Sequence, residues 1–266
     1  GDLDGDGRNE IVATQFKEGI RIWQKQEDMK FRSYFLKLHG AHEVSVRDMD
    51  GDNIPDILAA GYMSNRIIWW KNDGAFHFKA IIVSDQYLGA VTVSAGDLDG
   101  DGDIDILAAA HGANDIRWWE NRGKDQYHEH SIAGFLFSAS GVDSTDINGD
   151  GRVDIVGSAW RGKGQVRLWL NRGNQTEKYN IEKNWTSEAF IRYLRAEGIS
   201  KATNLYNKFK NPSAGRLHLS KRQLNFLGYE FLRLRHFEKA IDTFRLLVTA
   251  FPQYANGYDS LGEAYM

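Results

Sequence analysis

The first 184 residues alternate between short apolar runs and polar, glycine-rich turns. Within the runs, apolar and polar positions change with a period of about two, and β-branched and aromatic residues are frequent, which predicts β-strands. One well-defined stretch predicts four consecutive strands, at residues 42–47, 56–60, 66–71 and 79–83. We therefore expect a series of short strands joined by tight turns.

From about residue 185 the apolar positions recur roughly every 3.6 residues, which is the period of a helix. The pattern predicts amphipathic helices at 187–196 and 200–209, a break at 211–215, and a further helix that begins after a capping Ser220. The change of period predicts a multidomain chain, with a β part followed by an α-helical part.

Composition sharpens this division. Residues 1–184 hold 22 of the 27 Gly and 7 of the 8 Trp, and their net charge is −8, whereas residues 185–266 have a net charge of +5. The absence of Cys excludes a disulfide framework, a thiolate zinc site and a cysteine nucleophile. Since no apolar run approaches about 18 residues, we expect no membrane span.

Four acidic segments repeat along the β part. They begin at Asp2, Asp48, Asp97 and Asp146, so successive starts lie 46, 49 and 49 residues apart. A second marker, one or two Trp residues followed in most repeats by Asn and Gly, keeps the same period about 20 residues downstream. Four short strands in a repeat of this length are typical of one blade of a β-propeller. We predict a partial β-propeller of about four blades of four antiparallel strands, with the tryptophans packed between blades.

The acidic segments place a carboxylate at positions 1, 3, 5 and 9, with one Asn as the exception. Negative charge at this density is costly unless a cation neutralises it. Oxygen ligands without His or Cys favour calcium, and less strongly magnesium or manganese. Position 6 is Gly in three segments and Asn53 in the other, as a turn with positive φ requires. Position 7 varies freely, as expected if it supplies only a backbone carbonyl; it is occupied by Arg8, Ile54, Asp103 and Arg152.

An EF-hand loop begins with the same spacing and is the alternative interpretation. That loop needs a Glu at position 12 and a helix on each side. Position 12 here is Ala13, Ala59, Ala108 or Gly157, each inside an apolar run typical of a strand. We therefore reject the EF-hand.

With these loops and Trp markers, residues 1–184 resemble the FG-GAP or VCBS repeats of integrin-α-type propellers. In that family the loop joins the first two strands of a blade and its calcium ion ties the hairpin together. The resemblance implies one calcium ion in each of the four loops, and Glu10 and Asn148 depart from the usual Asp, so we expect those two sites to bind differently. The implied side-chain ligands are Asp2, Asp4, Asp6 and Glu10; Asp48, Asp50, Asp52 and Asp56; Asp97, Asp99, Asp101 and Asp105; and Asp146, Asn148, Asp150 and Asp154.

The helical part resembles the tetratricopeptide (TPR) repeat. Counted from Leu224, the cycle restarts 34 residues later at Tyr258. The sequence of this part also resembles the TPR extensions of bacterial β-lactamase-like serine hydrolases. Such units offer a groove to a peptide or partner domain. We divide the chain into blades at 1–184, a helical linker region at 185–219 and TPR hairpins at 220–266. The first TPR unit matches at Leu227, Gly228, Phe231, Ala240, Phe244 and Pro252.

The sequence contains no recognisable catalytic motif. It lacks Ser-x-x-Lys, Gly-x-Ser-x-Gly, His-Glu-x-x-His and the phosphate-binding Gly-x-x-x-x-Gly-Lys-Ser/Thr. His128 and His130 are predicted to form a surface pair in a strand or turn. The basic residues of the helical part are scattered and lack interleaved aromatics, which argues against nucleic-acid binding.

These features predict a non-catalytic bacterial binding module that is extracellular or periplasmic. Its propeller loops would present a surface to a protein or glycan ligand, and its TPR groove would take a peptide or partner domain. The alternative is an accessory portion of a larger secreted hydrolase or polysaccharide-degrading enzyme. Because the first repeat lacks an opening strand and the second TPR unit stops at Met266, we expect the chain to be a fragment.

Overall fold

The fold is that of a computed structural model, which describes residues 1–27, 30–161, 164–173, 184–185, 187–210, 216–217 and 219–266. Two compact units divide the chain. The β unit consists of Gly1–His130 and Phe137–Gly173, and the helical unit of Ser131–Leu136 and Asn174–Met266. The predicted boundaries at 184 and 219 stay predictions, and the first adjoins residues 174–183, which lie outside the described residues.

The described residues of the β unit form four antiparallel sheets, in which strands that follow each other in sequence are neighbours. The strands predicted at 42–47, 56–60, 66–71 and 79–83 are confirmed, each to within a residue or two. The first sheet contains β1 (Ile11–Gln15), β2 (Gly19–Lys25) and β3 (Phe31–Lys37); the second contains β4 (Ala41–Arg47), β5 (Asp56–Gly61), β6 (Arg66–Asn72) and β7 (Phe78–Ser84); the third contains β8 (Ala90–Gly96), β9 (Asp105–Ala110), β10 (Asp115–Asn121) and β11 (Tyr127–Ser131); the fourth contains β12 (Ala139–Thr145), β13 (Asp154–Ala159) and β14 (Gln165–Trp169).

Cores between consecutive sheets explain the apolar pattern. Strands β5 and β9 are buried at every position because both of their faces are covered, and their alanines allow close approach. Trp69 belongs to the core shared by the second and third sheets, whereas Trp70 belongs to the core shared by the first and second. The paired tryptophans therefore pack between sheets, in opposite directions, as predicted.

Equivalent strands of successive sheets lie side by side. Thr92 on β8 donates a hydrogen bond to the Ser140 carbonyl on β12 at 2.6 Å, 48 residues away. His42 on β4 is hydrogen-bonded to the Val91 carbonyl on β8 at 2.9 Å, 49 residues away. Strands β4, β8 and β12 also share an irregularity in register at their first residues. Each sheet is therefore related to the next by one sequence repeat.

The helical unit contains five helices among its described residues. The helices predicted at 187–196 and 200–209 are confirmed, Ser220 accepts a hydrogen bond from the Gln223 N–H as the predicted cap, and the predicted break at 211–215 lies outside the described residues. Of the described helices, none is both long and apolar enough to cross a lipid bilayer. The elements are β15 (Asn184–Trp185) and β16 (Arg216–Leu217), a short parallel pair, with α1 (Ser187–Glu197), α2 (Ile199–Phe209), α3 (Lys221–Arg233), α4 (Phe237–Ala250) and α5 (Ala255–Tyr265).

The close approach of α3 to α4 depends on a glycine. Gly228 is buried in α3, and a Cβ atom built on it would overlap the ring of Phe244, which is fully buried on α4. Ala240 lies in the same core with no exposed surface. Small residues at these two positions let the helices pack around the Phe244 ring.

We predict that Gly228→Ala destabilises the helical unit by about 1–3 kcal/mol, because the added methyl group forces the Phe244 ring from its place. Urea unfolding followed by the helical circular-dichroism signal measures this loss. Gly262→Ala is the matched control, since no atom lies within 4 Å of its Cβ position. That change should be neutral or stabilising by up to about 1 kcal/mol. Equal effects of the two variants would contradict the packing argument.

Candidate metal centre

The acidic segments form loops at one end of the second strand of each repeat. In the last three repeats the loop connects the first strand of a sheet to the second, namely β4 to β5, β8 to β9 and β12 to β13. The first loop precedes β1, which pairs with β2 in the register that β5 uses with β6. Strands rather than helices flank the loops, in agreement with the rejection of the EF-hand.

The aspartate at position 1 closes its loop by accepting backbone N–H groups with both carboxylate oxygens. In the third loop, Asp97 accepts from Gly100 at 2.7 Å and from Gly102 at 3.1 Å. Position 6 has the predicted positive φ in every loop, including 67° at Asn53. The same two bonds close the other loops on Asp2, Asp48 and Asp146.

Positions 3 and 5 bend their carboxylates toward position 1. Asp99 accepts a hydrogen bond from the Asp101 N–H at 3.2 Å, and Asp101 accepts one from the Asp103 N–H at 2.9 Å. Both bonds recur in the first and fourth loops. In the second loop Asp52 accepts from the Ile54 N–H in the same way, whereas the Asp50 N–H donates to Asp48. Carboxylate oxygens approach within 4.8 Å of one another in three groups, which are Asp2, Asp4 and Asp6; Asp48, Asp50 and Asp56; and Asp97, Asp99 and Asp101.

The fourth loop has a weaker negative charge. Asn148 replaces the aspartate at position 3, and the Arg152 guanidinium pairs with Asp150 at 2.6 Å. Arg152 also donates to the Asn171 carbonyl at 2.9 Å, so this side chain bridges the loop and the end of the third strand of its sheet. The fourth loop therefore has the same closing hydrogen bonds as the others, but Arg152 already neutralises part of its negative charge.

The acid at position 9 differs from the other three because it is buried. Asp105 is 1% exposed, and its two oxygens accept the backbone N–H of Leu98 at 2.9 Å and of Asn121 at 2.8 Å. Asp56 and Asp154 make the same pair of bonds, while Glu10 accepts from Leu3 at 2.6 Å. This carboxylate therefore fastens the loop to the third strand, and only in the second loop does it join one of the acidic groups.

Burial and repulsion act together on these acids. Burial raises the pKa of Asp105 to about 7 against the lowering effect of its backbone hydrogen bonds, and Asp99 and Asp101 raise this pKa further. Burial also raises the pKa of Glu10 and of Asp56. Because a nearby cation favours the ionised form of each carboxylate, its binding would relieve this cost.

A residue that the sequence analysis missed lies beside position 3 of each of the first three loops. It directly follows the Trp marker, and its chemistry differs between loops. Gln24 donates to Asp4, and Lys71 pairs with Asp50. In the third loop, burial and the charge of Asp101 raise the pKa of Asp99, and the charge of Glu120 raises it further. Lys71 also lies 3.8 Å from Asp52. The regular spacing from the Trp marker was the sequence signal that could have found this position.

Glu120 is itself held by two side chains. It pairs with Arg122 at 2.9 Å and with His130 at 2.8 Å, and these contacts lower its pKa to about 2. His128 and His130 lie on β11 with their rings 4.7 Å apart, and His130 stacks on Trp118. Among the described residues, the acidic groups that could hold a metal ion include no histidine.

A repeated asparagine connects the loops of neighbouring sheets. Asn72 is fully buried, and its amide donates to the Leu3 carbonyl in the first loop at 2.7 Å and to the Pro55 carbonyl in its own loop at 3.0 Å. Asn171 donates in the same way to the Leu98 carbonyl of the third loop at 2.8 Å. In the sequence this Asn is only a repeat marker, whereas in the structure its side chain positions two loops.

The donor chemistry of the loops fits a hard divalent cation. Each of the three acidic groups offers carboxylate oxygens only, and an oxygen that accepts one N–H still has a lone pair for a metal ion. A family model described as FG-GAP-like repeat matches residues 48–108 and 97–157. Residues 48–157 therefore contain FG-GAP-like repeats. The matched region runs from the second loop through strands β5 to β12 and their loops, and it ends within β13.

Other comparisons with known proteins are weaker. A search of curated proteins gave no match. Among solved structures, the chain is similar to the crystal structure of the V. cholerae biofilm matrix protein Bap1, with 19% identity and a TM-score of 0.33. The alignment covers 62% of this chain and 28% of that one. At this TM-score the likeness does not inform the fold or the function of the FG-GAP-like repeats.

We predict that protonation of Asp105 stabilises the protein when divalent cations are removed by a chelator. Its pKa of about 7 in the native state exceeds the value of about 4 in an unfolded chain. The native state then keeps a proton that the unfolded state has lost, so this contribution to the free energy of unfolding falls as the pH rises from about 4 to about 7. The Tm of the wild type minus the Tm of Asp105→Asn should therefore decrease as the pH rises over this interval.

The matched control for this titration is Asp85→Asn, which changes an exposed aspartate outside the loops. Its Tm difference from the wild type should stay constant with pH. If the Tm of the wild type minus that of Asp105→Asn stays constant or increases with pH, the pKa of Asp105 is not raised in the native state.

Proposed function

We propose that this chain is the calcium-stabilised, partial β-propeller of an extracellular or periplasmic bacterial binding protein, joined to a TPR-like helical segment. It acts by binding a protein or a glycan and has no catalytic activity of its own. The observation that carries the proposal is the recurrence of one inward-facing carboxylate loop in successive repeats, three of which give acidic groups within 4.8 Å.

Each loop would hold one calcium ion through the side chains at positions 1, 3, 5 and 9 and the carbonyl at position 7. Calcium supplies charge neutralisation and a tie across the loop, since it accepts six to eight oxygen ligands in flexible geometry. The residues of the chain set the differences between sites. Glu10 lengthens the ligand at position 9 of the first loop, and Asn148 with Arg152 lowers the charge of the fourth.

The propeller arrangement is supported by the relation between sheets. Strands β4, β8 and β12 are first strands of successive sheets, and hydrogen bonds join residues one repeat apart on them. Repetition of this step around an axis generates a propeller, in which every sheet buries both faces against its neighbours. The buried β5 and β9 agree with that expectation.

The TPR assignment is supported by the packing of Gly228 and Ala240 around Phe244. A cavity of about 480 Å³ lies along α2 and α4, and its lining includes Thr203, Asn207 and Arg245. Polar side chains in a concave surface suit an extended peptide or the loop of a partner domain. The helical segment would then connect the propeller to a second protein.

We predict that calcium raises the Tm of the β unit and that a chelator reverses the effect. Saturation at a hundredfold excess over Kd adds about 2.7 kcal/mol per site, and magnesium should be less effective because it demands octahedral geometry. Calorimetric scans with and without calcium measure the shift. Asp99→Asn should lose part of it, whereas Asp85→Asn should keep it, since Asp85 lies outside the loops. A Tm that does not respond to calcium would overturn the proposal.

Lys71 is predicted to compete with the cation in the second loop. Its replacement in Lys71→Gln installs the residue type that occupies the equivalent position of the first loop, Gln24, and removes a positive charge from Asp50 and Asp52. An exposed ion pair is worth about 0.2–1 kcal/mol, so calcium affinity at that loop should rise by a factor of about 1.4 to 5. Isothermal titration calorimetry measures this gain.

Lys79→Gln is the control for the effect of overall charge, because Lys79 pairs with Asp125, outside the loops, at 2.8 Å. It should leave the affinity of the second loop unchanged. Equal gains in the two variants would assign the effect to net charge rather than to the contact with Asp50.

A further inference from the structure

The residue that directly follows the second strand carries a ring in all four repeats. Phe16 follows β1, Tyr62 follows β5, His111 follows β9 and Trp160 follows β13. Their separations of 46, 49 and 49 residues equal those of the acidic loops. Because the loops precede these strands and the rings follow them, the two features lie at opposite ends of the same strands.

The four rings form a continuous line across the sheets. The Phe16 and Tyr62 centroids are 6.2 Å apart, those of Tyr62 and His111 are 6.1 Å apart, and those of His111 and Trp160 are 6.0 Å apart. His42 on β4 adds a fifth ring, 6.4 Å from Phe16 and 6.3 Å from Tyr62. We refer to these five side chains as the aromatic row.

Most of the row is exposed, and His111 is half-buried. Phe16 is 46% exposed, Tyr62 is 37% exposed and Trp160 is 71% exposed. The buried tryptophans Trp69 and Trp70, by contrast, are each 4% exposed. Contiguous exposed aromatic side chains mark binding surfaces.

Cationic groups accompany the rings. The Arg161 guanidinium lies 6.0 Å from the centroid of Trp160. Burial lowers the pKa of His111, and the charged neighbours that lower it further are His42 and Arg161. The row therefore has a positive end within a part of the chain whose net charge is −8.

We propose that the aromatic row binds a linear polysaccharide that carries carboxylate groups. The C–H face of a sugar ring stacks on the negative face of an aromatic ring, and the line of rings offers successive sugars successive platforms. Arg161 pairs with a carboxylate of the glycan. This inference rests on the proposed binding function and names its ligand class.

The shape and charge of the row favour a glycan over other macromolecules. A stable protein interface buries about 800 Å² on each partner, whereas the row is one ring wide. Single-stranded nucleic acid also stacks on aromatics, but it needs a groove lined with many Lys and Arg to balance its phosphates. Here Arg161 accompanies the row, in a part of the chain whose net charge is −8.

The test compares two oligosaccharides of equal length on the calcium-loaded full chain by isothermal titration calorimetry. A hyaluronan oligosaccharide carries carboxylates on alternate sugars, and a chitin oligosaccharide offers similar sugar rings without them. We expect hyaluronan to bind more tightly than chitin. Arg161→Gln should remove most of this preference while the Tm stays unchanged, because Arg161 is exposed.

Row variants then locate the binding surface. Phe16→Ala, Tyr62→Ala and Trp160→Ala should each weaken hyaluronan binding about tenfold or more, the loss expected for one stacking platform. Phe31→Ala is the matched control, since Phe31 lies in the same sheet as Phe16 and is 49% exposed but is not part of the row. It should change the affinity less than about twofold.

Four outcomes would overturn the proposal: no hyaluronan binding, equal losses in Phe16→Ala and Phe31→Ala, chitin binding as tight as hyaluronan binding, or tighter binding of an oligothymidylate. The calcium-dependent rise in Tm, measured on the same samples, separates this inference from the proposed function. If the rise persists and the row variants bind normally, the aromatic row is not the glycan-binding surface, and the proposal of a calcium-stabilised module is unaffected. If the rise is absent, the proposed function itself fails.

Discussion

The buried carboxylate at position 9 is the interaction on which the rest of the β unit depends. In each of the last three repeats it accepts one backbone N–H from position 2 of the loop and one from the Asn at the end of the third strand. An acid without exposed surface is costly to ionise, and the other carboxylates of the loop increase that cost. The fold thus fastens its hairpins with a buried acidic group. Under the proposed calcium binding, a cation in the loop would offset the cost of its charge.

The residues around the loops make the four sites unequal. Gln24, Lys71 and Glu120 occupy one structural position and bring a neutral, a positive and a negative group to the aspartate at position 3. Asn72 connects the second loop to the first and Asn171 connects the fourth loop to the third, each by donating to a carbonyl in the preceding sheet's loop. The loops are therefore related in conformation but differ in charge and in their neighbours.

The same strands carry acidic side chains at one end and ring side chains at the other. The acidic loop at one end is held by backbone N–H groups, whereas the ring at the other end remains exposed on a short turn. Strands β5 and β9 can support both because they are buried along their whole length and cannot shift relative to the sheets on either side. The helical unit follows a separate principle, in which small residues such as Gly228 allow two helices to close around one aromatic ring.

Most of the secondary structure followed from the sequence alone, because the alternation of apolar positions and the spacing of Gly, Asp and Trp are local properties of the chain. Strand β5 and the Ser220 cap are examples that the local sequence pattern predicted. The acidic residues at positions 1, 3 and 5 could be predicted to lie together for the same reason, since they belong to one loop of nine residues. Only the tertiary structure separated the buried acid at position 9 from the others, placed Lys71 beside Asp50, and brought Phe16, Tyr62, His111 and Trp160 into one line. Those contacts join residues tens of positions apart, and sheet packing, not local sequence, decides which of them meet.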